Sequence, residues 1–372
     1  MSGTIDRAAL LWEDESHKLS IFHALVGLLL CVACGTAQAE TLGLSAPLSG
    51  PSAILGEQIK AGASAAATTL GVDLDVQDDA CTAEGGRAAA DRFISAKVVA
   101  VVGYLCNEAV EAALPLLTQA GIPVITSSVR TNSLTDQRAK TNWFFYRTGP
   151  RADSERYAAA SILTRLWRKE LFAVIDDGTI YGRELAETFR TAAEGAALKP
   201  VFVDTFRPQM ENQIALMGRL RKAGATHLFV GGDREDIAVM GRDAAKLGMD
   251  LTIAGGEALR AAPAEPKLAD GTLMIAMPEW RDVADLAAIE AIQKQGAAAE
   301  GYALPTYASV QVAVEAMRSA ATSDRSLVQA LDEGTFSTVL GKMTFNENGD
   351  LATNPYRIFR FEDGHFRPLE TE

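Results

Sequence analysis

Histidine is scarce in this chain of 372 residues: there are four, and only His227 and His365 lie beyond residue 39. Neither stands beside a serine or cysteine nucleophile, which disfavours acyl transfer. Gly-x-Ser-x-Gly is missing, as are a phosphate loop ending in Gly-Lys-Ser/Thr and a Gly-x-Gly-x-x-Gly after the first strand. Acids are plentiful enough to supply the carboxylate pair of a glycosidase, so that class alone stays open. The chain is otherwise read as no enzyme, without a cofactor or a metal. Basic blocks are absent too, with no run of five or more Lys/Arg, and the net charge is −13. Nucleic acid and anionic membrane surfaces are therefore poor partners. Cysteine is limited to four positions: Cys31, Cys34, Cys81 and Cys106.

What is present begins with an apolar run, Ser20 to Cys34, preceded by Lys18 and followed by Ala37-Gln38-Ala39. It is short for a membrane span, and the small-x-small ending is what signal peptidase reads, so residues 1–39 read as a secretory signal and the mature chain as periplasmic. Glu13-Asp14-Glu15 is foreign to a positively charged leader and suggests a true start further along. Val32-Ala33-Cys34 offers a second processing site, a lipid anchor on Cys34, with Cys31 where leucine is preferred. Cleavage after Ala39 removes four acids and two bases, taking −13 to −11. It leaves Cys81 and Cys106, an even pair in an exported chain, which predicts a disulfide contributing about 3 kcal/mol.

The body of the chain, 48% hydrophobic and 22% charged, is globular and long enough for two domains. Short apolar strands alternate with helical stretches: strands at Thr41–Ala46, Asp73–Gln77, Val98–Val102, Pro123–Thr126 and Trp143–Arg147. After Thr148-Gly149-Pro150 a second unit repeats the pattern, with strands at 171–175, 200–205, 227–230 and 252–254. The alternation predicts α/β architecture with parallel sheets covered on both faces. Beyond a strand at 272–277 come helices at 282–295, 305–322 and 326–332. The tail is turn-rich, with strands at 337–340, 343–345 and 356–361 and a hairpin signal at Asn348-Gly349-Asp350. This remainder is too small for its own core and is expected to complete the first lobe.

Candidate site residues gather in strand-end loops, where open α/β sheets bind ligands. Ser127 and Ser128 end a buried strand, and Asn107 opens a helix whose free N–H groups favour an anion. Glu257, after Ala254-Gly255-Gly256, is placed to neutralise an ammonium, and Tyr181 puts a ring at another strand end. Ordinary roles compete for each: helix cap for Ser127, surface acid for Glu257, packing for Tyr181.

Taken together, Asp78-Asp79-Ala80-Cys81, Val102-Gly103-Tyr104-Leu105-Cys106, Asp176 with Tyr181-Gly182, Gly231-Gly232, Gly256-Glu257 and Thr306-Tyr307-Ala308-Ser309-Val310-Gln311 occur in an order that resembles the leucine/isoleucine/valine-binding protein family. The likeness runs from about Thr41 to the C-terminus. Members are periplasmic substrate-binding components of branched-chain amino-acid ABC transporters. The resemblance implies a type I periplasmic-binding-protein fold: two doubly wound parallel-sheet lobes, 40–148 plus 278–342 and 149–277 plus 343–372, joined by a three-stranded hinge. It implies a monomer that closes on an amino acid and delivers it to ABC permease subunits. It places the ligand α-carboxylate on Asn107, Ser128 and Val129 or Arg130, with Tyr181 and Glu257 closing from the second lobe and Glu257 holding the ammonium. Three departures concern specificity: Val129-Arg130 replaces an Ala-Thr pair, Ile54-Leu55 a tryptophan, and Asp233-Arg234 follows the glycines where an aromatic is frequent. Arg130 and Asp233 are accordingly expected to face one another, or a polar ligand side chain, across the closed cleft. Two rivals remain: a sensor on the same fold, and a transporter component for a short amide or aromatic acid. Against a simple acid stands Glu257, an unpaired buried carboxylate beside an anion being costly.

Overall fold

The computed structural model describes residues 40–370, so residues 1–39, read above as a signal, and Cys34 within them lie outside the described residues. The first strand, β1 (Thr41–Ala46), alternates side chains to two faces and pairs in parallel with β2 (Asp73–Asp78) and β3 (Val101–Gly103). β4 (Val124–Thr126) and β5 (Phe145–Arg147) extend the sheet in the order β2-β1-β3-β4-β5. Both faces are apolar because both are covered. Leu42, Leu44, Val102, Ile125 and Tyr146 pack under the helices Ala53–Leu70 and Ala303–Ala321. Val101, Val124 and Phe145 pack under Ala83–Ala96 and Asn107–Gln119.

The second lobe repeats this winding. β6 (Phe172–Asp176), β7 (Phe202–Thr205), β8 (His227–Gly231), β9 (Thr252–Gly255) and β10 (Leu273–Ala276) lie in the order β7-β6-β8-β9-β10, all parallel. Helices Ser154–Leu166 and Ile180–Gly195 cover one face, Ile214–Ala223 and Arg234–Lys246 the other. The sheet is mixed rather than wholly parallel: β13 (Arg357–Glu362) pairs antiparallel with β10, and β14 (His365–Pro368) antiparallel with β13 at the edge. Sequence reading missed β14. It is joined to β13 by Asp363-Gly364, both at positive φ (51° and 84°), the backbone that a two-residue I′ hairpin requires.

Elsewhere the remainder differs from expectation in detail. The helix expected over 282–295 is broken into Trp280–Val283 and Leu286–Lys294, because the Asp285 amide donates to Val339 O (3.2 Å) instead of continuing the helix. β11 (Phe336–Thr338) and β12 (Gly341–Met343) form a small separate hairpin. Asn348-Gly349-Asp350 turns as expected, closed by Gly349 N–H to Asn346 O (2.9 Å). Met343 and Phe345 belong to the first core and Tyr356 to the second. The last crossing thus falls after Leu351, not at residue 343, since the first core still needs those two side chains.

Cys81 and Cys106, at the ends of two neighbouring strand-to-helix loops, form a disulfide with Cα atoms 5.1 Å apart. At the hinge, Arg147 is fully buried and its Nε lies 3.0 Å from Asp350 Oδ1; Arg151 Nη1 reaches Asp350 Oδ2 at 2.8 Å. One carboxylate therefore ties the start of the first crossing to the chain entering the third. Burial pulls the Arg147 pKa down despite Asp350.

Candidate functional site

The loop after β4 turns sharply because the Thr126 hydroxyl accepts the N–H groups of both Ser128 (3.1 Å) and Val129 (3.2 Å). The turn drives Val129 into the first core and presents Arg130 to the space between the lobes. Ser127 is held by its hydroxyl against Thr306 Oγ1 at 3.0 Å.

From the other lobe, β9 ends in Gly255-Gly256 and a 3₁₀ turn begins at Glu257. A side chain at position 256 would have to push aside the groups around it: its Cβ would stand 2.3 Å from the Glu155 carboxylate and 2.5 Å from the Tyr181 hydroxyl. Glu155, in the first turn of helix Ser154–Leu166, accepts from the Tyr181 hydroxyl (2.7 Å) and from the Glu257 amide (2.6 Å), both on Oε1. Burial raises the Glu155 pKa, with the neighbouring Glu257 charge acting the same way. Burial, then the Glu155 charge, pushes the Tyr181 phenol up.

Between the lobes stands Tyr356. Arg130 Nη2 donates to its hydroxyl at 2.7 Å, and the hydroxyl donates to Glu257 Oε2 at 2.9 Å. The guanidinium also lies over the Tyr356 ring, 6.0 Å from its centroid. Burial opposes the Arg130 charge, but Tyr356 and Glu257 outweigh it and hold its pKa above the usual range. Burial likewise pushes the Tyr356 phenol up. Arg130 Nε is buried without a hydrogen-bond partner. Glu257 has two weaker contacts, from Met277 N–H at 3.4 Å and from Arg260 Nε at 3.8 Å.

These groups edge a cavity of about 440 Å³ between the lobes, lined by Ser127, Arg130 and Glu257 with Leu55, Trp280 and Tyr302. Three of the residues singled out from sequence meet there. Asn107 stands half-buried at the head of its helix and Ser128 is buried; neither lines the cavity, nor does Val129 or Tyr181. The Ser128 and Val129 amides are already occupied by Thr126. Asp233 is an exposed helix N-cap, and the charged group Arg130 faces is Glu257, through Tyr356, rather than Asp233. Sequence reasoning missed Tyr356, Glu155, Trp280 and Tyr302. Tyr356 comes from 226 residues away, and no local signal distinguishes it. Glu155 reads as an ordinary acid in a first helical turn. Among the described residues no group of three or more His, Cys, Asp or Glu could hold a metal ion, and no helix is long and apolar enough to cross a membrane.

Two lobes of identical winding, three crossings and a charged cleft define a bilobal solute-binding protein. The chain belongs to the periplasmic binding protein family, whose sequence model matches residues 41–365. Members are solute-binding transporter components rather than enzymes. Among curated relatives, the Leu/Ile/Val-binding protein homolog 3 of Brucella melitensis is 29% identical over 346 residues, which cover 89% of this chain and 93% of that one. Among solved structures, a Rhodospirillum rubrum protein described under branched-chain amino acid ABC transport superposes with a TM-score of 0.74 at 19% identity, covering 89% and 100% of the two chains. A Rhodopseudomonas palustris ABC-transporter solute-binding protein in complex with p-hydroxybenzoic acid superposes with a TM-score of 0.59 at 18% identity, covering 90% and 96%.

Proposed function

We propose that the chain captures an α-amino acid, branched-chain or related, in the inter-lobe cleft and delivers it to an ABC permease. One observation carries this reading: Arg130 from the first lobe and Glu257 from the second meet the same cavity, a cation and an anion on opposite walls. The ligand carboxylate falls to Arg130, which lines the cavity from the first lobe, and the ammonium to Glu257. Burying a zwitterion is tolerable only when both charges find partners, and here they come from different lobes. Ligand seated on one lobe thereby favours closure of the other, shifting an open–closed equilibrium. The apolar wall of Leu55, Trp280 and Tyr302 is left for the side chain. The relative's name, Leu/Ile/Val-binding protein, agrees with such a ligand.

The test is a thermal-shift screen of the twenty common amino acids on protein stripped of ligand by unfolding and refolding. Ligand at 100 times its dissociation constant adds about 2.7 kcal/mol, an easily seen shift. For the amino acid that responds, Arg130→Ala should weaken binding about 10- to 100-fold, the worth of a charge-assisted contact of ~1.5–3 kcal/mol. Affinity retained within a factor of about two would remove Arg130 from the site.

A further inference from the structure

Arg130 and Glu257 meet the cavity from opposite lobes, and a single hydroxyl stands between them. Arg130 Nη2 reaches the Tyr356 hydroxyl at 2.7 Å, and that hydroxyl reaches Glu257 Oε2 at 2.9 Å. The polarity of this chain is fixed, because a guanidinium has no acceptor: the phenol oxygen accepts from Arg130 and gives its own proton to the carboxylate. Tyr356 itself does not line the cavity. Its ring belongs to the second core, its amide donates to Asn354 Oδ1 at 3.1 Å, and the Asn354 side-chain amide donates to Ser154 O at 2.7 Å. The two charges are each left with one uncommitted atom. Arg130 uses Nη2 on Tyr356 and on Arg151 O (3.4 Å) and its Nε is buried, so Nη1 is the donor it still offers. Glu257 uses Oε2 on the phenol and keeps Oε1 open, with Met277 N–H at 3.4 Å and Arg260 Nε at 3.8 Å as its nearest polar contacts.

We propose that Tyr356 is a positioning residue for ligand capture: its hydroxyl keeps Arg130 and Glu257 from neutralising each other directly. The inference rests on the cleft reading above, which gives the ligand carboxylate to Arg130 and the ammonium to Glu257, and it adds what holds those two anchors apart. A partly buried cation and anion left facing each other form a charge-assisted pair, a stronger contact than either makes with a neutral hydroxyl. A zwitterion would have to break that pair before it could seat. With the phenol in place each charge is satisfied by a neutral partner, and each keeps a free atom, Nη1 or Oε1. An amino acid can then add its two contacts without displacing the relay.

The experiment measures dissociation constants by calorimetry for L-leucine, L-isoleucine, L-valine and L-phenylalanine on ligand-stripped wild type, Tyr356→Phe, Arg130→Ala and the double variant. Y356F keeps the ring and removes only the hydroxyl, and it should weaken the amino acid that binds by about 10- to 100-fold, the range for a hydrogen bond to a charged group. A general loss of packing would weaken R130A by that same factor again. A residue that acts by separating Arg130 from Glu257 has nothing to separate once Arg130 is gone. The double variant should therefore bind within about threefold of R130A, the non-additivity that coupled contacts show. Equal factors in both backgrounds overturn the inference. So does a Y356F affinity within about twofold of wild type, or tighter than wild type, which would show the hydroxyl competing with the ligand. In each of these cases the amino-acid reading stands. If R130A leaves affinity unchanged, the carboxylate assignment falls and the inference with it. Silence of the wild type toward all four amino acids at millimolar concentration overturns both.

Discussion

At Glu155 one carboxylate oxygen holds two donors from separate elements, the Tyr181 hydroxyl and the Glu257 amide. Burial nevertheless wins and its pKa lies above the ordinary 4.5. A carboxyl whose pKa rises on folding binds its proton more tightly in the folded chain. Its contribution to stability is complete at low pH and is lost as pH climbs past the unfolded value toward the folded one. Glu155→Gln keeps an acceptor for both donors and removes the charge. The variant should be at least as stable as the wild type in urea at pH 7, with the difference shrinking toward pH 4. Equal destabilisation at both pH values would show that the two hydrogen bonds, not the charge, dominate. The same residue marks the limit of sequence reading. Glu257 was singled out because it follows a strand end, a position that local pattern identifies, and Arg130 because it departs from the family's Ala-Thr pair. Their partners Tyr356 and Glu155 were not, because a tyrosine next to a C-terminal strand and an acid in a helix's first turn look the same wherever the fold puts them. Asp233 was chosen as Arg130's partner on charge alone, and charge without distance decides nothing.

Among the elements, the helices Ala53–Leu70 and Ala303–Ala321 approach so closely that a Cβ on Gly62 would sit 1.9 Å from the Ala303 carbonyl oxygen. Propensity alone makes Gly→Ala in a helix favourable by about 1 kcal/mol. Here the obstacle is backbone, which cannot swing aside as a side chain would, and overpacking costs about 1–3 kcal/mol or more. Gly62→Ala should lower the denaturation midpoint, and a raised midpoint would show that the two helices can separate without penalty. Some elements could be read directly from periodicity: β1 was placed to the residue, and the helices read at 305–322 and 326–332 lie within two positions of Ala303–Ala321 and Leu327–Glu333. What failed did so where a non-local bond decides. The break before Leu286 depends on Val339, and the limits of the last crossing depend on which core takes Met343 and Phe345.

For the molecule as a whole the hinge is the weak point of any two-lobed design, and here it contains a buried ion pair. Arg147 and Asp350 are both almost wholly removed from solvent. Replacing such a pair by apolar groups is often neutral, but removing one partner strands the other, at about 3–5 kcal/mol. Asp350→Asn takes from buried Arg147 its ion-pair partner, while Arg151 keeps Asp136 and Asp153. It should lose stability on that scale in chemical denaturation, and a loss below about 1 kcal/mol would mean that water or Asp153 takes over.

The late crossing has a temporal consequence. The first core closes only when Met343 and Phe345 arrive, and the second sheet only when β13 is added beside β10. Neither lobe is contiguous: the face under Ala83–Ala96 and Asn107–Gln119 is built from residues 89–145 alone, but the other face of the first sheet and the second sheet are completed only by the C-terminal part of the chain. A chain whose two lobes are completed so late is easier to thread through a narrow pore than one whose domains close in order along the sequence.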